Sequence, residues 1–397
     1  MKILLLAPHP FYQERGTPIA VDLLLQAFVR RGDSVDVLTY PEGEERSYGP
    51  TVRIFRVRAP RFLRGIRPGF SLKKLLVDAY MAPQAMRMAQ ASSYDVVHAV
   101  EEAAFMARRI SAKLGIPYVF DMDSSMPRQI ADKLPAARPL LPLMRSVEAR
   151  AIRNAAAVVP MCDAIAEEAK ACGATCVEVL RDISLLASDV PFAPERGFRQ
   201  TEHIVGTAFL YVGNLEAYQG MDLLLEAFAE TAPTHPDAML VVVGGRREDV
   251  AAYREKAAML GIGAQSRFLG PRPVADMPHL FHDADILVSP RTQGVNTPMK
   301  IYSYLDAGKP TLATRLPTHT QVLTDEVAML AAPTKEAMAE GMRHLLEHPE
   351  EREALARNAK ALAQSRYSFA AFEDALNRLY NRAFPSRTDG QTSLKSS

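Results

Sequence analysis

Short apolar runs alternate with longer amphipathic segments along most of the chain. KILLLA (2–7) predicts a buried strand, and IAVDLLLQAFVRRG (19–32) has helical spacing. Four more strands are predicted in this half, at 34–40, 94–100, 117–122 and 154–160. Helices are predicted at 101–115 and around 140–155. Apolar runs separated by helices are typical of parallel sheets covered on both faces, so we expect an α/β, doubly wound fold.

The alternation stops near the middle of the chain and then restarts. Residues 188–203 hold two prolines, one glycine and mixed charge, which is typical of a linker. Five strands are predicted beyond it, at 209–213, 238–245, 266–270, 284–290 and 310–314. A last helical stretch runs from about 335 to 384. We therefore expect five segments: a first domain over 1–190, a linker over 191–204, a second domain over 205–366, a C-terminal helix over 367–384 and a disordered tail over 385–397.

Charge and cysteine content exclude several classes of protein. The 397 residues carry 47 Lys and Arg against 46 Asp and Glu, a net charge of +1. A nucleic-acid partner is therefore not expected, because binding by phosphate neutralisation needs a basic excess. Three cysteines cannot form a disulfide framework, the first residues do not resemble a signal peptide, and no apolar run reaches roughly 18 residues. We expect a cytoplasmic protein whose membrane contact, if any, is peripheral.

Sequence motifs also argue against metal and common cofactors. Cys162, Cys172 and Cys176 lack a fourth ligand at zinc-like spacing. Neither a phosphate-binding Gly-x-x-x-x-Gly-Lys-Ser/Thr run nor a Gly-x-Gly-x-x-Gly after the first strand is present. No metal and no cofactor are expected.

Thr-Pro pairs follow one predicted strand in each half of the chain. Thr17-Pro18 comes after strand 2–7, and Thr297-Pro298 comes after strand 284–290. Thr is a good N-cap and Pro a good first helical residue, so each pair predicts a helix start past a strand's carboxyl end. Such a helix start can bind an anion, but plain capping is the favoured explanation for either pair taken alone. Lys300 would be the third helical residue, where a bound phosphate would offset its repulsion from the helix dipole.

These motifs resemble the family-4 glycosyltransferases. Residues 289–314, with the sequence SPRTQGVNTPMKIYSYLDAGKPTLAT, are similar to the family's donor-site helix. Residues 211–228, with the sequence YVGNLEAYQGMDLLLEAF, are similar to the loop and helix at the start of the family's second domain. The resemblance implies a GT-B fold, with two Rossmann-like domains facing a cleft and a C-terminal helix that crosses back to the first domain. It also implies retaining transfer of a sugar from a nucleotide-diphosphate sugar, usually without a metal.

The chain departs from the family pattern at several positions. Asn214 and Gln219 stand where the family usually has Arg and Lys, Val295 and Ser303 where it has two Glu, and Asp123 where it has His. Some branches combine a Gly-Asn loop with a Pro-x-Lys donor helix whose Lys serves the phosphate. Pro298-Met299-Lys300 fits that variant.

The resemblance and the strand ends together define the expected site. Lys300 is expected to stabilise the leaving diphosphate, and Asp123 and Glu102 are catalytic candidates near the acceptor. His98 and Asp121 are expected on the acceptor side, although acidic residues in a first helical turn also suit the helix dipole. The expected donor-binding residues are Gly16, Thr17, Asn214, Gln219, Arg246, Gly270, Arg272, Arg291, Asn296, Thr297, Pro298 and Ser303.

Residues 53–74 are the one strongly biased stretch. They hold six Arg and two Lys without Asp or Glu, and Phe55, Phe62 and Phe70 lie among them. This composition suits an anionic membrane or a lipid-phosphate acceptor, and a solvated loop is the alternative.

The sequence thus favours a retaining glycosyltransferase that acts on a glycan, a lipid-linked or a small-molecule acceptor. Two alternatives stay open: a sugar-nucleotide epimerase of the same architecture, and a non-catalytic scaffold that binds sugar nucleotides.

Overall fold

The computed structural model describes residues 1–13, 16–66, 71–186 and 193–385. The predicted tail from residue 386, linker residues 191–192 and residues 67–70 of the basic stretch lie outside these ranges. The chain divides into two compact units. The first unit comprises Met1–Arg181 and the segment that begins at Phe372, and the second comprises Asp182–Ala371. No described helix has both the length and the apolar composition needed to cross a bilayer.

The described part of the first unit contains one parallel sheet. Its strands are β1 (Lys2–Ala7), β2 (Ser34–Thr39), β3 (Val52–Arg56), β4 (Val96–Val100), β5 (Tyr118–Met122) and β6 (Ala157–Pro160). Their order across the sheet is β3-β2-β1-β4-β5-β6. The connecting helices are α1 (Gly16–Arg30), α2 (Leu72–Ala91), α3 (Ala103–Leu114), α4 (Met126–Lys133), α5 (Leu141–Arg153) and α6 (Asp163–Ala171).

The described part of the second unit repeats this plan. Its strands are β7 (Ala208–Val212), β8 (Met239–Val243), β9 (Ser266–Gly270), β10 (Ile286–Ser289), β11 (Thr311–Thr314) and β12 (Met329–Ala331), in the parallel order β12-β11-β10-β7-β8-β9. Its helices are α7 (Met221–Thr231), α8 (Arg247–Met259), α9 (Met277–Asp283), α10 (Lys300–Ala307), α11 (Pro317–Thr320), α12 (Lys335–Glu347) and α13 (Pro349–Arg366). The last described helix is α14 (Phe369–Ala383), which belongs to the first unit from Phe372 onward.

Each sheet is buried on both faces, as the continuous apolar strands predict. In β7, Phe209 and Tyr211 enter one core cluster, whereas Ala208 and Leu210 enter another. Successive side chains of a strand point to opposite faces, so the two clusters lie on the two sides of the sheet. The predicted doubly wound fold is confirmed.

Some elements were not predicted. β3 has the sequence VRIFR, and its two arginines, Arg53 and Arg56, made it resemble part of a basic loop. It is an edge strand, where one face can remain polar. The short strand β12 was also missed. The predicted helical stretch 335–384 is three helices, and the first break falls at Pro349, which begins α13 because proline suits a first helical position.

The two Thr-Pro helix starts differ from the prediction. α1 begins at Gly16, so Thr17 lies in its first turn. α10 begins at Lys300 without a side-chain cap, so Lys300 is the first and not the third helical residue. The backbone N–H of Ile301 donates to the carbonyl of Pro298 at 2.9 Å, so a tighter turn leads into the helix.

Candidate functional site

Four buried polar atoms near the carboxyl ends of β7 and β10 have no hydrogen-bond partner among the described residues. They are Gln219 Oε1, Arg291 Nε, Thr297 Oγ1 and Lys300 Nζ, and we call these residues the cation cluster. β7 and β10 are neighbours in the sheet. An unsatisfied buried polar group costs about 1–3 kcal/mol. Arg291 Nε, Lys300 Nζ and the Thr297 hydroxyl can donate, so they suit a ligand of negative charge, whereas Gln219 Oε1 can only accept a hydrogen bond.

Lys300 is the most desolvated cation of the cluster. Its Nζ lies 3.9 Å from the centroid of the Tyr211 ring. This contact is worth about 0.5–2 kcal/mol, less than the cost of desolvating an ammonium group. Burial, and then the charge of Arg291, lowers the pKa of Lys300 well below its usual value. A bound anion would favour the charged lysine.

Arg291 follows β10 and fixes the loop that leads to α10. Its Nη1 donates to the Asn296 carbonyl at 2.8 Å and to Thr318 Oγ1 at 2.9 Å. Thr318 Oγ1 in turn donates to the Asn296 carbonyl at 2.6 Å. Because these bonds leave Nε unused, part of the guanidinium group remains available to a ligand.

The loop after β7 is tied to the loop after β10. The N–H of Thr292 donates to the carbonyl of Tyr218 at 2.9 Å. Gly220 has a φ of +77°, and a Cβ there would lie 1.9 Å from the carbonyl oxygen of Pro290. Only glycine permits this approach, which holds Gln219 close to the Arg291 loop.

His319 is a site residue that the sequence analysis missed. Its Nδ1 lies 2.8 Å from the Thr314 carbonyl, which requires the proton on Nδ1, and its Nε2 lies 2.9 Å from Ser289 Oγ. Burial, followed by the charges of Lys300 and Arg291, lowers its pKa to about 4. The neutral ring thus joins the ends of β10 and β11 to α11. No spacing pattern marked this histidine.

A cavity of about 340 Å³ lies at the carboxyl ends of β7, β8 and β9. It is lined by Gly213, Asn214, Gly244, Gly245, Arg246 and Arg272, among others. A Cβ on Gly244 would lie 2.0 Å from the Gly213 carbonyl, so glycine keeps the two loops close. A Cβ on Gly213 would lie 3.5 Å from Lys300 Nζ, so the cavity adjoins the cation cluster.

The other predicted donor residues occupy several places. Arg246 pairs with Asp249 at 2.9 Å on the cavity wall. The Gly270 carbonyl accepts from the Gly244 N–H. Ser303 Oγ accepts from the N–H of Leu185 at 3.1 Å. Gly16 and Thr17 belong to the first unit.

In the first unit, Glu102 belongs to a group of carboxylates near the ends of β2, β4 and β5. Lys74 Nζ lies 2.6 Å from Glu102 Oε1. The Tyr40 hydroxyl donates to Asp78 at 2.6 Å, and Ser124 Oγ donates to Glu101 at 3.0 Å. We call Asp78, Glu101, Glu102 and Asp123 the acidic cluster. Asp78 and Glu101 were not among the predicted site residues.

Burial and mutual repulsion raise the pKa of two carboxyl groups in the acidic cluster. Burial, and then the charge of Glu102, raises the pKa of Asp78 to about 7. Burial, followed by Asp123 and Glu102, raises the pKa of Glu101 well above its usual value. Glu101 also has a φ of +52°, an uncommon conformation outside glycine that recurs at functional sites.

His98 and Asp121 lie behind this cluster. His98 is fully buried, with Nδ1 2.8 Å from the Tyr380 hydroxyl of α14 and Nε2 3.4 Å from Asp121 Oδ2. The His98 and Tyr380 rings are parallel, with centroids 6.2 Å apart. The structure thus gives His98 a packing role between β4 and α14.

Matches to known proteins agree with this architecture. A model named "Glycosyl transferase 4-like domain" matches residues 15–180, and "Glycosyl transferases group 1" matches residues 202–362. Anabaena HepE in complex with UDP-glucose superposes with a TM-score of 0.71 at 18% identity, over 95% of this chain and 98% of that one. The fold and the two matches define a glycosyltransferase architecture. The chain belongs to the GT-B glycosyltransferases.

Two curated relatives with sequence similarity to this chain are sugar transferases by name. A D-inositol 3-phosphate glycosyltransferase of Corynebacterium glutamicum is 28% identical over 222 residues, 53% of this chain and 52% of that protein. The alpha-D-kanosaminyltransferase of Streptomyces kanamyceticus is 26% identical over 290 residues, 70% of this chain and 74% of that protein. The chain thus matches about half the length of the first relative and three quarters of the second.

Proposed function

We propose that this chain transfers a sugar, with retention at the anomeric carbon, from a nucleotide-diphosphate sugar to a hydroxyl of a glycan, lipid-linked or small-molecule acceptor. The observation that carries the proposal is the buried Lys300 Nζ, which has no partner among the described residues and adjoins the cavity at Gly213. A bound diphosphate would supply the negative partner that the Lys300 ammonium group lacks among the described residues.

The second unit would bind the donor. Lys300 and Arg291 would hold the diphosphate, and the cavity beside Gly213 would hold the nucleoside. The bond between the anomeric carbon and the diphosphate oxygen breaks in the reaction, so negative charge grows on that oxygen. Fixed cations next to it stabilise the transition state more than the ground state. HepE, which was solved with UDP-glucose, makes a UDP-sugar the first donor to test.

The acceptor would be recognised in the first unit. The acceptor hydroxyl loses its proton as its oxygen bonds to the anomeric carbon, and a leaving phosphate oxygen takes that proton. The acidic cluster, which includes Glu102 and Asp123, would accept hydrogen bonds from the acceptor's other hydroxyls. We propose that the reaction needs no metal, because the two cations of the cation cluster supply the charge that a metal would otherwise provide.

Thermal shift with a charge-removing variant tests donor binding. UDP, UDP-glucose and the GDP-, ADP- and dTDP-sugars are added to the wild type and to Lys300→Met, which keeps an unbranched stem without the charge. A ligand at 100 times its Kd stabilises the folded state by about 2.7 kcal/mol. We expect the wild type to melt higher with its donor and Lys300→Met to lose most of that shift.

Lys335→Met is the matched control, because Lys335 is exposed and pairs with Glu230 on the surface. The empty Lys300→Met protein should melt above the wild type, because a desolvated cation has been removed. An equal nucleotide shift in the wild type and Lys300→Met would refute the donor site. Donor binding without transfer or hydrolysis would favour the scaffold alternative.

We further propose that part of 53–74 contacts an anionic membrane. Arg53 makes a bidentate ion pair with Asp36, and Arg56 donates to the carbonyls of Phe11 and Glu42. Lys74 pairs with Glu102. We place the contact at Arg61 and Phe62, which are exposed, and at the exposed Arg64 that follows the turn. Arg61→Ser with Arg64→Ser should weaken binding to anionic vesicles, and more so at low salt.

A further inference from the structure

A fully buried histidine in a central strand of the first unit has polar partners on both ring nitrogens. His98 of β4 is 0% exposed. Its Nδ1 lies 2.8 Å from the hydroxyl of Tyr380 on α14, and its Nε2 lies 3.4 Å from Asp121 Oδ2 near the end of β5. Packing between β4 and α14 needs a ring at position 98 but needs neither nitrogen. Packing alone therefore does not explain the histidine.

The two contacts fix where the protons lie. An ionised Asp121 carboxylate can only accept, so the Nε2 that faces it carries the ring proton. In the neutral ring Nδ1 is then an acceptor, and the Tyr380 hydroxyl donates to it. Burial raises the pKa of Tyr380 well above its usual value, so this hydroxyl keeps its proton. The donors thus run in one direction, from Tyr380 through His98 to Asp121.

Aromatic and cationic neighbours hold the two rings in place. Phe28 of α1 meets the His98 ring edge-on, with centroids 5.6 Å apart, and meets the Tyr380 ring in the same way at 5.4 Å. The Arg31 guanidinium lies 3.9 Å from the centroid of the Tyr380 ring and pairs with Asp33 at 2.6 Å. Polar groups that are paired in a buried network have fixed orientations. The orientation of His98 is therefore set by α1 and α14 together.

This chain of donors ends beside the acidic cluster. The side chain of Asp121 is 17% exposed and that of His98 is fully buried, so the carboxylate is the end that reaches the surface. The Asp121 carbonyl accepts a hydrogen bond from the N–H of Glu101 at 2.8 Å. Glu101 has a φ of +52°, a conformation that persists only where the surrounding structure holds it. Asp121 thus joins the buried histidine to the backbone of the acidic cluster.

We propose that Tyr380 and His98 are positioning residues, which orient the Asp121 carboxylate so that it accepts a hydrogen bond from an acceptor hydroxyl. The inference rests on the proposed function and adds to it a contribution of α14. Tyr380 is 1% exposed, so it acts through His98 and does not touch the substrate. The Nε2–H of His98 keeps Asp121 ionised, and an ionised carboxylate accepts a stronger hydrogen bond than a neutral group does.

The position of the ring proton can be measured without any substrate. Nitrogen-15 NMR of the full chain, labelled at histidine, distinguishes a proton on Nε2 from one on Nδ1. We expect His98, identified by its response to Asp121→Asn, to carry the proton on Nε2. Tyr380→Phe keeps the ring and removes the hydroxyl, so it should shift the Nδ1 signal. Tyr118→Phe is the matched control, because it removes a buried hydroxyl that donates to the Ala151 carbonyl instead.

Transfer kinetics test the consequence for the acceptor. UDP-glucose is the donor probe, and the methyl glycosides of glucose, galactose and mannose are the acceptor probes. Loss of one hydrogen bond corresponds to about three- to tenfold, so Tyr380→Phe should raise acceptor KM by that factor and leave donor KM within about twofold. In an Asp121→Asn background the same change should have no further effect, because it acts through Asp121. Tyr118→Phe should leave both KM values unchanged.

The other outcomes overturn the inference or the function on which it rests. A proton on Nδ1, or an unchanged His98 signal in Tyr380→Phe, would refute the chain of donors. Equal rises in both KM values, or additive effects of Tyr380→Phe and Asp121→Asn, would mean that Tyr380 only stabilises the fold. Absence of transfer by the wild type would refute the proposed function and with it the role in acceptor binding. The nitrogen-15 result decides independently whether Tyr380 and Asp121 fix the His98 proton.

Discussion

The carboxyl ends of the two sheets carry opposite charge imbalances. In the second unit, Lys300 and Arg291 are desolvated next to neutral His319, and burial lowers the pKa of all three. In the first unit, burial and neighbouring carboxylates raise the pKa of Asp78 and Glu101, and Lys74 pairs with Glu102 beside them. Two units of the same plan have thus acquired environments that favour opposite ligands.

This difference assigns the substrates within the proposed function. A diphosphate is stabilised by the cation cluster and repelled by the acidic cluster. A polyhydroxyl acceptor donates hydrogen bonds to carboxylates and has no charge to be repelled. Perturbed pKa values are common at functional sites, and under the proposed function their direction would distinguish the donor side from the acceptor side.

The largest expected effect comes from removing the charge of Lys300. Lys300→Ala should reduce transfer on the order of 10²–10³-fold, as the loss of one preorganised charge-stabilising group does. Lys300→Arg should recover part of the activity, because a planar guanidinium does not reproduce a point charge. Steady-state kinetics with the donor found by thermal shift measure both variants. Lys335→Ala is the control, and near-normal transfer by Lys300→Ala would contradict the assignment.

The second effect is the pH dependence of folding stability, and its sign should differ between the two units. His319 has a folded pKa of about 4 against 6.5 for an ordinary histidine. Between these values the unfolded chain binds more protons, so stability falls as pH falls from 6.5 to 4. His319→Gln removes that dependence. The deficit in unfolding free energy of this variant relative to the wild type should shrink by roughly 3 kcal/mol or less as the pH falls from 6.5 to 4. Urea unfolding at each pH measures this difference.

Asp78 supplies the opposite slope. Its folded pKa of about 7 lies above the ordinary 3.8, so the native state binds more protons and stability falls as pH rises from 3.8 to 7. Asp78→Asn should therefore gain stability relative to the wild type as pH rises through this window. Parallel pH slopes for the His319 and Asp78 variants would contradict the opposed electrostatics of the two clusters.

Most of the fold could be predicted from the sequence because buried parallel strands are continuous apolar runs. β1, β7 and β9 were placed within one residue of their bounds. β3 could not be, since Arg53 and Arg56 interrupt its apolar residues and Arg53 is satisfied by Asp36, which is distant in sequence. The position of Lys300 in its helix was wrong because a tight turn at 297–299 replaced the expected Thr297 cap.

Only part of the candidate site could be predicted from the sequence, because some of its contacts join residues that are distant in the sequence. The sequence analysis predicted Lys300, Arg291 and Gln219 from their positions after strands and from the family resemblance. Both signals can be read from a short stretch of sequence. His319 and Asp78 act through contacts across the fold, to Ser289 and Tyr40 respectively, and have no local signature. Ser303, which was expected at the donor, accepts a hydrogen bond from the N–H of Leu185, a contact that the sequence analysis did not predict.

The smallest expected effect sharpens the acceptor side of the comparison. Glu102→Gln keeps the size of the side chain, removes its charge and leaves Lys74 without its ion-pair partner at 2.6 Å. An acceptor hydroxyl would lose a charged hydrogen-bond acceptor, which corresponds to about a tenfold rise in acceptor KM. Donor KM should stay within about twofold, because the cation cluster is untouched. Glu45→Gln, at an exposed glutamate of the same unit, is the matched control. Initial rates, measured with each substrate varied separately, distinguish the outcomes. An equal rise in the KM of donor and acceptor would mean that Glu102 does not belong to a separate acceptor site. The division of the two substrates by charge would then be wrong as well.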